Sequence, residues 1–263
     1  MRTILAVALA ALALAACGRI EEQAASTQQA PAPPPAAGPL TYKKQSTAAE
    51  VSLTLPERVG QIHPLYEKLY GEQRAALDEF AEGAVDEIEG LRAAGLPARP
   101  YIRTVEYTVT AETPRLVGLR AITFEDTGGA HPNTVLSGLI WDKAQNRVVQ
   151  TKDLFAKGAD LERADHALCE ALKAEKRRRI GDDHFNSVFT GCPALATAQT
   201  TLGPSMTKGI AGALTALFSP YDVGPYVEGA YEIDVPDAAL HSVLNPEFAH
   251  DFGGAPAPRP AGG

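Results

Sequence analysis

The chain has 263 residues, 45% of them apolar and 21% charged, enough for one substantial core or two small lobes. Its 32 acidic residues outnumber 24 basic ones, for a formal net charge of −8. That balance argues against nucleic-acid binding, which needs a basic surface to neutralise phosphates, and permits a cationic partner.

The chain opens with Arg2 and an unbroken apolar run from Ile4 to Ala16, closed by small residues before Cys17. Thirteen apolar residues fall short of the roughly 20 that span a bilayer, so the run reads as a secretory leader. Leu14, Ala15, Ala16 and Cys17 resemble the bacterial lipobox. Residues 1–17 are therefore expected to be a lipoprotein signal peptide, with lipid on the Cys17 sulfur as the membrane anchor. Gly18, where enteric inner-membrane retention expects Asp, points to an outer membrane facing the periplasm. Residues 18–40 hold five prolines and six alanines and little to bury, so they are expected to form a disordered tether. An extended Pro-rich tether of that length reaches up to ~70 Å. The tail from residue 253 to 263 has the same composition.

Between these ends the pattern predicts an α+β fold: an antiparallel meander of three to four strands, later strands, and two or three helices. Val51, Leu53 and Leu55 alternate as in a half-buried strand. From Ile62 to Leu91 apolar residues recur at helical spacing with gaps near Gln73, as one long helix or two. Strands follow over residues 101–112 and 115–125, the second with a slipped pattern that suggests a bulge at Gly118. After a turn at Gly128, Gly129, Ala130 and His131 come strands at 134–142 and 147–150. A helix over 160–180 turns Leu161, Leu168 and Leu172 inward, late strands fall near 207–218 and 230–235, and a short helix near 236–244 closes the fold.

Three blocks in this order, "TGGAHPNT", "WDKAQNRVVQTKDLF" and "LFSPYDVGPYVEGAYEIDVP", resemble the DUF3298 family, preceded by a DUF4163-like part. The likeness rests on Gly128, Gly129, Ala130 and His131, on Asp142, Asp153, Leu154 and Phe155, and on Pro220, Tyr221, Asp222, Val223, Pro225, Tyr226 and Gly229. The family includes the extracellular part of the lysozyme-sensing anti-sigma factor RsiV and the non-catalytic part of PdaC-type peptidoglycan deacetylases. The resemblance divides the chain into a DUF4163-like part over 41–155 and a DUF3298-like part over 156–252, together one compact unit. It implies an envelope binding module, with a lysozyme-type protein or peptidoglycan glycan as candidate ligand. The sensor's transmembrane and sigma-binding segments and the deacetylase domain with its metal motif have no counterpart in the sequence.

Chemistry-bearing residues are sparse. Apart from Cys17 the cysteines are Cys169 and Cys192, an even pair that favours a disulfide in an oxidising compartment, with two buried thiols as the other reading. The six histidines are scattered without metal-ligand spacing, and Asp182, Asp183 and His184 read as a solvated loop, so no metal or cofactor is expected. Ser205 and Lys208 fit an S-x-x-K pattern, but its companion motifs are absent, which leaves a cell-wall hydrolase or acyl-transfer enzyme as the alternative to a non-catalytic role. Asp78, Glu82, Asp86 and Glu89 share one helix face; repulsion at such spacing costs about 0.2–0.5 kcal/mol per pair, so the stripe is either a surface for a cationic partner or a solvated face. Tyr221 and Tyr226 form a binding platform or pack as a strand-end corner. His131, without a visible nucleophile or metal partner, reads as architectural more than catalytic.

Overall fold

The computed structural model describes residues 38–182 and 191–258. Cys17, the leader and the tether up to residue 37 lie outside them, as do Asp183 and His184. The fold is mixed α+β, as expected, with a six-stranded sheet ordered β1-β2-β3-β4-β5-β6 and a three-stranded sheet ordered β7-β8-β9.

The first sheet begins with β1 (Thr41–Gln45) and β2 (Ala49–Thr54). A short helix α1 (Glu57–Gly60) leads into α2 (His63–Ala93), one continuous helix of 31 residues. Pro64 sits in its first turn, where a missing N–H costs nothing. At its other end Gly95, at φ 70°, and Leu96 donate to the Arg92 and Leu91 carbonyls, the Schellman arrangement that stops a helix. The helix lays Leu65, Leu69, Leu77, Ala81, Ala84 and Ile88 on the sheet, and its length lets the chain cross over. Hence β3 (Tyr101–Glu112) pairs with β2 in parallel, whereas the other paired strands of the two sheets run antiparallel.

The meander continues through β4 (Leu116–Asp126), β5 (Asn133–Asp142) and β6 (Arg147–Val149). The slipped pattern of β4 has two causes. Its first four residues are buried on both faces, so alternation vanishes. There is a register shift, but the extra residue is on the partner: Val109 faces Leu119 and Ala111 faces Gly118, which leaves Thr110 unpaired on β3. The expected bulge at Gly118 thus belongs to β3, and Gly118 has a different task.

That task is close approach of the second sheet. Helix α3 (Glu162–Ile180) is followed by β7 (Gln199–Gly203), β8 (Ala213–Phe218), β9 (Tyr231–Pro236) and helix α4 (Asp237–Leu240). Strand β7 crosses the first sheet so tightly that a Cβ on Gly118 would stand 2.8 Å from the Leu202 nitrogen, and one on Gly138 would stand 2.1 Å from the Thr200 carbonyl oxygen. The bulged Thr110 meets Thr201 across the same gap, hydroxyl to hydroxyl at 2.8 Å. All six β8 residues are buried, because this central strand has the first sheet on one face and α3 on the other. The layers run α2, six-stranded sheet, three-stranded sheet, α3, with one core on each side of the first sheet.

Both ends of the folded part reach further than the composition suggests. Tyr66 donates to the Pro39 carbonyl and the Leu55 amide to that of Leu40, so residues 39 and 40 belong to the fold and not to the tether. Residues 253–258, expected to be disordered, run beside Pro204–Met206, with Met206 donating to Ala255 and Ala257 to Pro204. Cys169 and Cys192 are bonded, 23 residues apart in sequence.

Candidate functional site

The turn between β4 and β5 is organised by Asp126. Its carboxylate accepts the Gly128 N–H at 2.9 Å and the Arg99 guanidinium at 2.6 Å, and these two bonds hold it below the usual carboxylate range. Gly128 takes φ 80°, a conformation that disfavours any side chain, whereas Gly129 takes no positive φ. One glycine of the pair therefore supplies the left-handed residue of the turn.

The turn delivers His131 to the segment between β8 and β9. There Ser219 accepts the Leu136 N–H at 3.0 Å, tying the start of the segment to β5. Tyr221 stands at φ 77°, costly for a residue with a bulky side chain, and is half exposed. Tyr226 begins the 3-10 turn Tyr226–Glu228. Its hydroxyl donates to the Pro132 carbonyl at 2.8 Å, and its ring stacks on the His131 imidazole with centroids 3.9 Å apart. The Tyr221 ring lies 5.6 Å from that of Tyr226 and 6.2 Å from that of His131.

Two contacts define the imidazole's tautomer. Nδ1 lies 2.8 Å from the Pro132 carbonyl oxygen, which can only accept, so Nδ1 carries the proton in the neutral ring. Nε2 then accepts from the Tyr221 hydroxyl at 3.2 Å. Motif residues some 90 positions apart therefore make one three-ring cluster at the protein surface, bordered by Val227, which is 89% exposed. With its hydrogen bonds mutually satisfied, the cluster offers flat apolar faces rimmed by hydroxyls. Among the described residues no cluster of three or more His, Cys, Asp or Glu side chains is placed to hold a metal ion, and the partners of the His131 ring are the Pro132 carbonyl and the Tyr221 hydroxyl.

Residues that the motifs did not single out support the cluster. Glu228, at the end of the Tyr226 turn, enters the core, where its carboxylate takes a 2.5 Å bond from Lys176 of α3 and a 2.6 Å bond from the Tyr231 hydroxyl. Burial, then the bond to Glu228, raises the Tyr231 phenol well above its ordinary value. One signal was available: Lys176 falls four residues after Leu172 and eight after Leu168, on the buried face of the helix. The motif aspartate Asp142 is likewise internal. Arg115 grips it with two bonds of 2.6 and 3.0 Å, and the Ala144 and Gln145 amides cap its other oxygen.

The remaining candidates stay apart from the rings. Asp78 is occupied by the Tyr42 hydroxyl at 2.6 Å and Lys44 at 2.8 Å, which dock β1 on α2; Glu82, Asp86 and Glu89 remain exposed. Ser205 donates to the Gly253 carbonyl at 3.1 Å and accepts the Thr207 N–H at 3.1 Å, a turn-forming role, while Lys208 is exposed. No helix among the described residues is long and apolar enough to cross a membrane.

Fold and site together define an α+β module that presents an aromatic cluster where one sheet's turn meets the other sheet's connecting segment. Residues 152–238 match the family model described as "Protein of unknown function (DUF3298)", a span that includes Tyr221 and Tyr226 and stops short of His131. A crystal structure of a DUF3298 member from Bacteroides fragilis is similar in fold, at 16% identity and a TM-score of 0.56, covering 80% of this chain and 95% of that one. A DUF3298 protein from Pseudomonas aeruginosa is similar at 17% identity and a TM-score of 0.53, covering 84% and 99%. No curated protein matches the chain.

Proposed function

We propose that this protein is a non-catalytic binding module, lipid-anchored through Cys17 in a bacterial cell envelope, and that the His131–Tyr221–Tyr226 cluster is its contact surface for peptidoglycan glycan. The observation that carries this reading is the convergence of three rings from two distant motifs, His131 and Tyr221 exposed and Tyr226 half-buried, with Tyr221 on a strained backbone. Strain of about 1–3 kcal/mol persists only where surrounding structure imposes it, and it concentrates at ligand-contact positions. Flat ring faces rimmed by hydroxyls suit a pyranose, whose axial C–H groups stack on aromatics while its hydroxyls exchange hydrogen bonds. Localisation at an outer membrane facing the periplasm follows from the leader and Gly18, and the RsiV-like and DUF4163-like likeness supports an envelope role.

A second reading is a lysozyme-type partner, favoured by the exposed acidic row Glu82, Asp86 and Glu89, whose field would speed association with a cationic protein. The enzymatic alternative through Ser205 and Lys208 has no such support, because the serine hydroxyl is engaged with backbone. A fluorescent penicillin that labels the protein and fails to label Ser205→Ala would nevertheless establish it.

Co-sedimentation with purified insoluble peptidoglycan, alongside binding to an immobilised c-type lysozyme, tests the proposal. Saturable retention on peptidoglycan that falls about tenfold in Tyr226→Ala is expected, since one aromatic contact is worth roughly 0.5–1.5 kcal/mol beyond its buried area. Retention unchanged in Tyr226→Ala and His131→Ala would show the cluster is not the contact.

A further inference from the structure

We infer that Lys176, Glu228 and Tyr231 are positioning residues for the ring cluster: a buried ion pair between α3 and the 226–228 turn sets where Tyr226, and through it His131, stands. The effect on ligand binding rests on the reading above; the effect on ring geometry does not.

The segment between β8 and β9 contains no regular structure except that three-residue turn, so contacts must hold it. Its start is tied by Ser219. Its end is gripped by α3 in two places. Glu228, its side chain 8% exposed, pairs with Lys176, 1% exposed, and the Arg179 guanidinium donates to the Ala230 carbonyl at 2.6 Å while lying 4.3 Å from the centre of the Tyr231 ring. Tyr231, fully buried, donates to the same Glu228 oxygen that Lys176 bonds. Gly224 closes the site from above: a Cβ there would lie 2.2 Å from that oxygen, so the chain folds directly over the carboxylate.

A buried ion pair seldom stabilises a fold more than apolar residues of similar volume would, because desolvation offsets attraction. What it supplies here is direction. Glu228 has one place to put its charge, the turn must stop where that charge is met, and Tyr226 lies two residues earlier in the same turn. Stacking at 3.9 Å and the bond to Pro132 then hand the position on to His131.

The test separates position from stability in the full chain. The double variant Lys176→Met/Glu228→Leu replaces the pair with apolar residues and is expected to melt near the wild-type temperature. Nuclear magnetic resonance of the His131 ring protons, shifted upfield by the stacked Tyr226 ring, gives the geometry; the double variant is expected to lose that shift as fully as Tyr226→Ala does. Peptidoglycan retention should fall about tenfold with it. Gly224→Ala perturbs the carboxylate from the opposite side and should lose the shift with both charges still present, which keeps the test decisive if the double variant does not fold. Retention of the wild-type His131 shift in either folded variant overturns the inference. Loss of the shift in a protein whose wild type binds no peptidoglycan upholds the positioning role and removes the glycan reading alone.

Discussion

Substituting Gly138 by alanine probes the contact on which the two-sheet arrangement depends. The added Cβ would meet the Thr200 carbonyl oxygen at 2.1 Å and its carbon at 2.5 Å, against the 3.0 Å below which real Cβ atoms essentially never approach another heavy atom. The neighbours are backbone, so no side chain can swing aside, and β7 has to retreat by about 1 Å. A gap of that size forfeits a quarter to a half of each dispersion contact along the seam. With over-packing strain the cost is about 3 kcal/mol or somewhat more. For a protein of this size that lowers the melting temperature by roughly 6–12 °C. Gly118→Ala meets three atoms at 2.8 Å and needs a smaller shift, for about 1–3 kcal/mol. Gly83→Ala, inside α2 with nothing within 4 Å of the added carbon, should stabilise by about 0.5–1 kcal/mol. Urea denaturation of the three variants, followed by circular dichroism and compared at equal m-value, measures the series. A Gly138→Ala protein as stable as wild type, or less affected than Gly118→Ala, would refute the packing of β7 on β5.

The Asp142 carboxyl is fully buried; burial pushes its pKa up, but Arg115 and the Ala144 and Gln145 amides outweigh that and hold it below the usual range. A depressed folded value stabilises above the unfolded pKa, about 3.9, and that stability disappears as pH falls through the folded value. Asp142→Asn is therefore expected to cost about 2–3 kcal/mol at pH 7, with the difference from wild type shrinking below roughly pH 4; a difference independent of pH in urea titrations would contradict this. Breaking the Cys169–Cys192 bond with reductant should lower stability by about 3 kcal/mol through loop entropy, and the Cys169→Ser/Cys192→Ser variant should show that loss without responding to reductant.

Legibility in the sequence followed burial. Helix α2 and strands β3 and β9 present mainly one face to a core, so their periodicity is plain, whereas β5 sends Ile140 to one core and Trp141 to the other and is marked by its apolar run between turns. Strand β7 carries no readable alternation, and β8 is shorter than the strand the pattern predicts near 207–218, because both sit between layers where alternation disappears. β1 was missed for the opposite reason: Thr41–Gln45 is mostly exposed, held by the Lys44 and Tyr42 bonds to Asp78 and by backbone pairing. Those bonds also explain why one residue of the acidic stripe is not available to a partner. The motifs marked His131, Tyr221 and Tyr226 individually, but their meeting depends on how β5 and the β8–β9 segment are brought together, which no local pattern encodes. Lys176 was readable from its spacing on α3; its charge argued it outward, and only the position of Glu228 makes the inward placement intelligible.

The most direct measurement of the binding claim is a site-resolved magnetic-resonance titration of the protein with soluble peptidoglycan glycan fragments. Saturable shifts centred on His131, Tyr221, Tyr226 and Val227, and absent in Tyr226→Ala, are expected. Saturable shifts confined to the Glu82–Glu89 face, or none at concentrations where wall glycan is abundant, would contradict it.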